Sequence, residues 1–347
     1  MLTEALEAVA AGQNLTPATA EAVMEEILSG RASDAQIAGL LVALRMKGET
    51  VDELVGFARA MRRQAAPVFP AGVRAPEMMV DTCGTGGDAC GTFNVSTAAA
   101  FVVAGAGVPV AKHGNRSISS RCGSADVLEA LGVTLELAPE HAGEAIARIG
   151  IGFLFAPLVH RAMRHAMRAR RELRVRTVFN LLGPLTNPAG ASAQVVGVFR
   201  SDYLERIARA LAALGVVRAF VVHGTDGMDE ISLSAATQVA EVRDGEVRTY
   251  TVVPEDFGLR RVGHASLAGS TAEQNAQIIR QVLQGVSGPP REIVLANAAA
   301  ALVAAGAARD WLDGVRLAAE SIDSGAAVRK LDALVEFTRT RAQQAGA

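Results

Sequence analysis

The sequence has few aromatic side chains, few cysteines and no sustained excess of either charge. Aromatics make up 4% of its 347 residues, although half are hydrophobic. The apolar mass is therefore mostly Ala, Val, Leu and Ile, which suits helices packed on a sheet better than an aromatic binding platform. Lys and Arg number 34 against 36 Asp and Glu, so the basic footprint of a nucleic-acid binder is missing. Cys83, Cys90 and Cys122 are an odd count without CxxC spacing, which argues against a disulfide framework or a zinc site. The start, Met1-Leu2-Thr3-Glu4, lacks the pattern of a signal peptide. The largely apolar stretch Val95 to Ala111 is broken by Gly105, Gly107 and Pro109, so no membrane span is expected. These absences predict a cytoplasmic protein that engages neither nucleic acid nor membrane.

The length fits one large α/β domain or two domains. Over the first 65 residues, helix boundaries are explicit. Thr16 precedes Pro17, Gly30 and Gly48 mark stops, and Ser33/Gln36 and Thr50/Glu53 have capping-box spacing. Pro67 and Pro70 close the last helix. A small helical domain over residues 1–70 is expected, joined by helices from about 160–190, with an α/β domain over 71–347. In the second part, Met78–Asp81, Val108–Ala111, Gly152–Ala156, Gln194–Phe199 and Ala219–His223 read as short strands between helical patterns. That alternation predicts a mainly parallel sheet flanked by helices. Asp244-Gly245, between Gln238–Val242 and Glu246–Val253, predicts a hairpin. From Thr271 the pattern is helical again, with a polar tail from Arg339.

Four segments carry chemistry. Directly after the first strand stands Asp81-Thr82-Cys83-Gly84-Thr85-Gly86-Gly87-Asp88, whose glycines let backbone amides surround an anion. Asn94-Val95-Ser96-Thr97 follows as a hydroxyl-rich helix start, a natural phosphate site. Next, the run Lys112 to Ser120, then Gly123 and Ser124, concentrates cations, amide and hydroxyls after a strand, where open α/β sheets place ligands. The third segment, His223 to Glu230, ends in the adjacent acids Asp229 and Glu230; hard oxygen ligands of this kind suit Mg²⁺ together with substrate phosphates. The fourth is a basic helix over His160–Arg176, with Arg161, Arg164, Arg168 and Arg171 on one stripe and Arg170 off it. A guanidinium there is a natural partner for a small carboxylate. No GxSxG elbow, HExxH motif or Cys–His nucleophile pair is present.

Taken in order, GTGGD at Gly84–Asp88, NVST at Asn94–Thr97, KHGNRSISS at Lys112–Ser120, GSADVLEALG at Gly123–Gly132, RTVFNLLGPLTNP at Arg176–Pro188 and HGTDGMDEIS at His223–Ser232 resemble one family, the anthranilate phosphoribosyltransferases. The resemblance covers nearly the whole chain. It implies a nucleoside phosphorylase/phosphoribosyltransferase-like fold, a homodimer contacting through the helical domains, and transfer of phosphoribose to anthranilate in tryptophan biosynthesis. Carried over, Gly84, Gly87, Asp88, Thr92, Asn94, Val95, Ser96, Thr97 and the run Lys112, His113, Gly114, Asn115, Arg116, Ser117, Ile118, Ser119, Ser120, with Ser124, hold phosphoribosyl pyrophosphate. Gly84, Asn115 and Arg170 contact anthranilate, and His113 and the Gly183-Pro184 turn line its route. Ser96, Asp229 and Glu230 bind magnesium, as two ions per site, and Lys112, Asp88 and His113 are the catalytic candidates. One stretch departs from the family pattern: Arg168-Ala169-Arg170 replaces the usual Pro-Val-Arg, and Arg174 stands where glycine is common.

The nearest alternative is a pyrimidine nucleoside phosphorylase; the Asp229-Glu230 pair and the Asn94–Thr97 helix start favour a diphosphate-using transferase. A non-catalytic relative that binds nucleic acid should lose the glycine loop and gain basic charge, and neither change is seen.

Overall fold

The computed structural model describes residues 1–88, 90–117 and 122–345. The chain opens with four helices, α1 (Leu2–Ala10), α2 (Pro17–Leu28), α3 (Asp34–Lys47) and α4 (Val51–Arg63). Their ends follow the expected chemistry. The Thr16 hydroxyl accepts from the Thr19 amide, full capping boxes form at Ser33/Gln36 and Thr50/Glu53, and Gly48 at φ 87° closes α3. Each cap satisfies helix-end amides that would otherwise lack partners.

The remaining elements alternate: β1 (Val80–Gly84), α5 (Val95–Gly105), β2 (Val110–Gly114), α6 (Ser124–Ala130), α7 (Pro139–Ile149), β3 (Ile151–Phe155), α8 (Ala156–Val159), α9 (Arg164–Leu173), α10 (Phe179–Leu182), β4 (Ala193–Gly197), α11 (Leu204–Ala213), β5 (Arg218–Gly224), β6 (Thr237–Arg243) and β7 (Glu246–Val252). Four helices follow, α12 (Ala272–Leu283), α13 (Pro289–Ala304), α14 (Trp311–Asp323) and α15 (Ala326–Ala345). Among the described residues, seven strands form one sheet in the order β3-β2-β1-β4-β5-β6-β7. The first five run parallel, and β6 and β7 continue it antiparallel. The β6–β7 turn has Asp244 at φ 52° and Gly245 at φ 85°, the positive values a two-residue hairpin needs.

Strand residues alternate between two cores. Val195, Phe220 and Val222 face a cluster with α5 and α13, while Val196, Ala219 and Val221 face one shared with α11. The second cluster is continuous with the helical bundle and with Ala166, Ala169, Val178, Phe179, Leu182 and Leu185. Bundle and sheet therefore meet along a packed apolar seam.

Several boundaries differ from the sequence reading. β1 and β2 lie about two residues later than expected, starting at Val80 and Val110. Pro109 has no N–H to donate, and its carbonyl instead receives the Val80 amide at 2.9 Å, so pairing begins only there. Lys112, His113 and Gly114 are consequently strand residues, not the start of a loop. The basic segment is not one helix from His160 to Arg176: a 3₁₀ turn at Arg161–Met163 precedes α9, which stops at Arg174 with φ 51°. The expected polar tail is instead the end of α15, held by Arg341 to Glu144 at 2.6 Å.

Candidate active site

The carboxyl ends of β1, β2 and β5 and the segments after them surround a cleft of about 330 Å³. It lies beside β1, where the strand order reverses from β1-β2-β3 to β4, the position at which open α/β sheets form a ligand crevice. Gly84, Gly87 and Asp88 reach it from the loop after β1, and Thr92, Asn94, Val95, Ser96 and Thr97 from the start of α5. Lys112, His113, Gly114, Asn115, Arg116 and Ser117 enter from β2 and beyond, Ser124 from α6, Arg170 from α9, and Asp229 and Glu230 from the loop after β5. Ile118, Ser119 and Ser120 lie outside the described residues.

Lys112 is 3% exposed. Its ammonium donates to the Thr82 carbonyl and approaches Ser96 Oγ at 3.4 Å. Burial lowers its pKa, opposed chiefly by the negative charge of Asp81. Asp81 is fully buried and accepts from the His113 amide at 3.1 Å and from Asn187 Nδ2 at 2.8 Å. A buried carboxylate of this kind persists because each oxygen has a donor. It clamps β1, β2 and the Thr186-Asn187-Pro188 turn behind the cleft.

The acids meet the glycine loop directly. Asp229 donates its amide to Asp88 Oδ2 at 3.4 Å, and Glu230 Oε1 accepts the Ser96 amide at 3.1 Å. Burial, then the charges of Asp88 and Glu230, push the Asp229 carboxyl well above its usual range. Burial raises Glu230 to about 7, although Lys112 pulls it down. The Asp88 charge adds to burial in raising both Asp229 and Glu230, a pair whose negative charge a divalent cation relieves. Among the described residues no group of three or more His, Cys, Asp or Glu encloses a metal alone; magnesium takes waters and substrate oxygens as its remaining ligands.

Glycines are dictated here by close approach. A Cβ on Gly84 would lie 3.1 Å from Asp229 Oδ2, and one on Gly197 only 1.5 Å from the Asp229 carbonyl oxygen. Gly84 and Gly197 are paired in register, so the two strand ends leave room for the acidic loop.

At the other end stands Arg170, its Cζ 5.0 Å from the Phe179 ring centroid. Burial lowers its pKa, yet a guanidinium stays charged at neutral pH. It has no ion pair among the described residues, leaving its charge for a ligand. Between the two ends, His113 Nδ1 faces the Gly183 carbonyl at 3.1 Å, and its ring meets His160 edge-on at 5.1 Å. Burial holds His113 down at about 3 and His160 at about 4. Both rings are neutral at pH 7, and each Nε2 is buried without a protein partner.

Two expected donor contacts have side chains engaged elsewhere. The Arg116 guanidinium binds Glu129 at 2.7 Å and Asp126 at 3.2 Å. The Asn94 amide bridges the Cys122 carbonyl at 3.2 Å and Asn275 at 3.0 Å. Asp81, His160, Asn187 and Gly197 were not singled out from sequence. Asp81 and Asn187 stand inside the quoted motifs; nothing in the chain around Gly197 signals its contact with Asp229.

Two family models match: the helical bundle domain of a glycosyl transferase family over residues 3–65 and its a/b domain over 76–328. An anthranilate phosphoribosyltransferase from Pelotomaculum thermopropionicum is 56% identical, with 97% of each chain covered. The crystal structure of anthranilate phosphoribosyltransferase from Thermus thermophilus superposes with a TM-score of 0.90 at 46% identity, covering 96% of this chain and 99% of that one. The Saccharomyces cerevisiae enzyme in complex with PRPP and Mg gives 0.88 at 27% identity, with 98% of each chain covered. The chain belongs to the anthranilate phosphoribosyltransferase family.

Proposed function

We propose that this chain transfers the phosphoribosyl group of phosphoribosyl pyrophosphate to the amine of anthranilate, an early step of tryptophan synthesis. The products are N-(5-phosphoribosyl)anthranilate and pyrophosphate. One observation carries the reading: the glycine loop, the buried Lys112 and the Asp229-Glu230 pair share one cleft with an unpaired Arg170.

The anthranilate nitrogen is an aromatic amine, uncharged near pH 7, and already holds its lone pair. The new bond joins that nitrogen to the ribose C1. The C1–oxygen bond to pyrophosphate breaks, its electron pair leaves with the oxygen, and the surplus amine proton passes to solvent or product. Catalysis then rests on placing the two substrates in line and stabilising the departing charge. Lys112 and the amides of the glycine loop take up part of that charge. Thr92, Asn94 to Thr97, Gly114 to Ser120 and Ser124 form the rest of the donor site, and Asp88 braces the loop through Asp229.

Magnesium, as two ions, is assigned to Ser96, Asp229 and Glu230, where it neutralises diphosphate charge when bound. Arg170 pairs with the anthranilate carboxylate, with Gly84 and Asn115 beside the ring. His113 donates an Nδ1–H hydrogen bond to the Gly183 carbonyl, which leaves its buried Nε2 as an acceptor beside the anthranilate route. No strong base is needed, in keeping with imidazoles held neutral.

We assign the helical domain to residues 1–70 with the 160–190 segment, and the α/β domain to 71–347. The shared core of α1–α4 with α9 and α10 supports that division. A homodimer through the helical domains and a cytoplasmic setting are proposed with it; Cys83, Cys90 and Cys122 form no disulfide, and among the described residues no helix is long and apolar enough to cross a membrane. The test is direct: mix protein, phosphoribosyl pyrophosphate, Mg²⁺ and anthranilate, and follow anthranilate fluorescence. Enzyme-dependent loss is expected; a constant signal contradicts the reading.

A further inference from the structure

Arg176 has no place among the contacts assigned above, yet it joins three parts of the molecule. Its guanidinium lies over Phe199, Cζ 4.1 Å from the ring centroid, and donates through Nη2 to the Gly87 carbonyl. Its own carbonyl accepts from Arg45 on α3 at 2.6 Å. Gly87 sits at φ +80°, and a Cβ there would lie 2.7 Å from the same Nη2. The cation therefore fills the space that a side chain would take.

Gly87 and Asp88 line the cleft and Arg176 does not, so Arg176 stands on the outer side of the glycine loop. In a planar trans peptide the carbonyl and the following N–H point opposite ways. Fixing the Gly87 carbonyl toward Arg176 turns the Asp88 N–H toward the cleft. The amides of Gly87 and Asp88 have no acceptor among the described residues, and Arg176 has no ion pair there.

We infer that Arg176 is a positioning residue: by holding the Gly87 carbonyl outward, it presents the loop amides to the diphosphate of the donor. The inference rests on the cleft being the donor site. Without the pin, a glycine that tolerates either sign of φ can turn its peptide and put a carbonyl oxygen against the diphosphate. Arg176 does not line the cleft, so it acts on the donor end through the Gly87 peptide.

The test compares the intact protein with Arg176→Met, Arg176→Lys and Phe199→Leu. Two quantities are read: affinity for inorganic pyrophosphate with Mg²⁺ by calorimetry, and KM for each substrate. Arg176→Met should weaken pyrophosphate binding and raise the donor KM by about 10-fold or more, the scale of a lost charge-assisted hydrogen bond. The anthranilate KM should move by less than about twofold. Arg176→Lys should recover part of the loss, because it keeps charge but cannot stack and fork. Phe199→Leu removes the shelf under the cation, keeps the arginine, and should show a smaller donor-side loss. Equal pyrophosphate affinity in wild type and Arg176→Met overturns the inference, as does a parallel rise in both KM values. Wild-type protein that fails to bind pyrophosphate removes the donor-site reading and this inference together. Wild-type binding with an unaffected Arg176→Met leaves that reading standing and removes Arg176 alone.

Discussion

The Ser96 amide donates to Glu230 Oε1 at 3.1 Å, joining two positions 134 residues apart. This contact fixes the acidic loop against the positive end of α5, a helix terminus that favours carboxylates. The same loop reaches Asp88 through the Asp229 amide. Acids, glycine loop and helix start thus form one unit before any ligand arrives.

Asp229→Asn and Glu230→Gln should each lower kcat/KM for the donor on the order of 100-fold. The magnesium concentration needed for half-maximal rate should rise in both. A magnesium titration of the variants settles it, and curves that overlay wild type would remove the acids from the donor site.

Gly197→Ala tests the crowding behind the acidic loop. Its Cβ would fall 1.5 Å from the Asp229 carbonyl oxygen, so the loop must shift, costing roughly 1–3 kcal/mol of stability along with most of the activity. Gly263→Ala, with nothing within 4 Å of the added atom, is the matched control. Similar denaturant midpoints for the two would contradict the packing described.

Arg170→Ala should raise the anthranilate KM by about 10-fold or more while the donor KM changes little. Arg174 is different. It caps α9 at φ 51°, a conformation that disfavours a residue with a Cβ, so Arg174→Gly should stabilise the protein by about 1 kcal/mol. Thermal unfolding reads that gain, and a lower melting temperature would show that the arginine side chain offsets its backbone strain.

The buried histidines set an acid limit on stability. His113 at about 3 and His160 at about 4 lie below the ordinary 6.5, so the unfolded chain takes up protons that the folded chain excludes. Stability is then full above about pH 6.5 and falls as the pH drops toward 4, by up to about 1.4 kcal/mol per pH unit for each histidine. His160→Gln should flatten that slope between those limits. Urea midpoints across the range measure it, and an unchanged slope would mean the ring does not resist protonation.

The helical bundle was legible because its caps are local: Thr16, Ser33 and Thr50 satisfy amides three residues away. The hairpin was legible for the same reason, through Asp244-Gly245. The ends of β1 and β2 were not. Asp81, Thr82, Lys112 and His113 are polar residues at the ligand edge of the sheet, and they mask a strand that hydrophobic patterning would find. The α9 terminus was missed because Arg174 occupies a left-handed position without being glycine. Gly197 was beyond reach altogether, since its constraint comes from Asp229 in a different element.

In the proposed binding mode, three separated segments grip one metal-bound diphosphate sugar. Crystals grown with phosphoribosyl pyrophosphate and Mn²⁺ in place of Mg²⁺ test it through the anomalous signal. Manganese is expected on Asp229 or Glu230 at about 2.0–2.3 Å, with the diphosphate between the glycine loop and Lys112. Manganese away from both carboxylates, or a diphosphate seated outside the cleft, would contradict it.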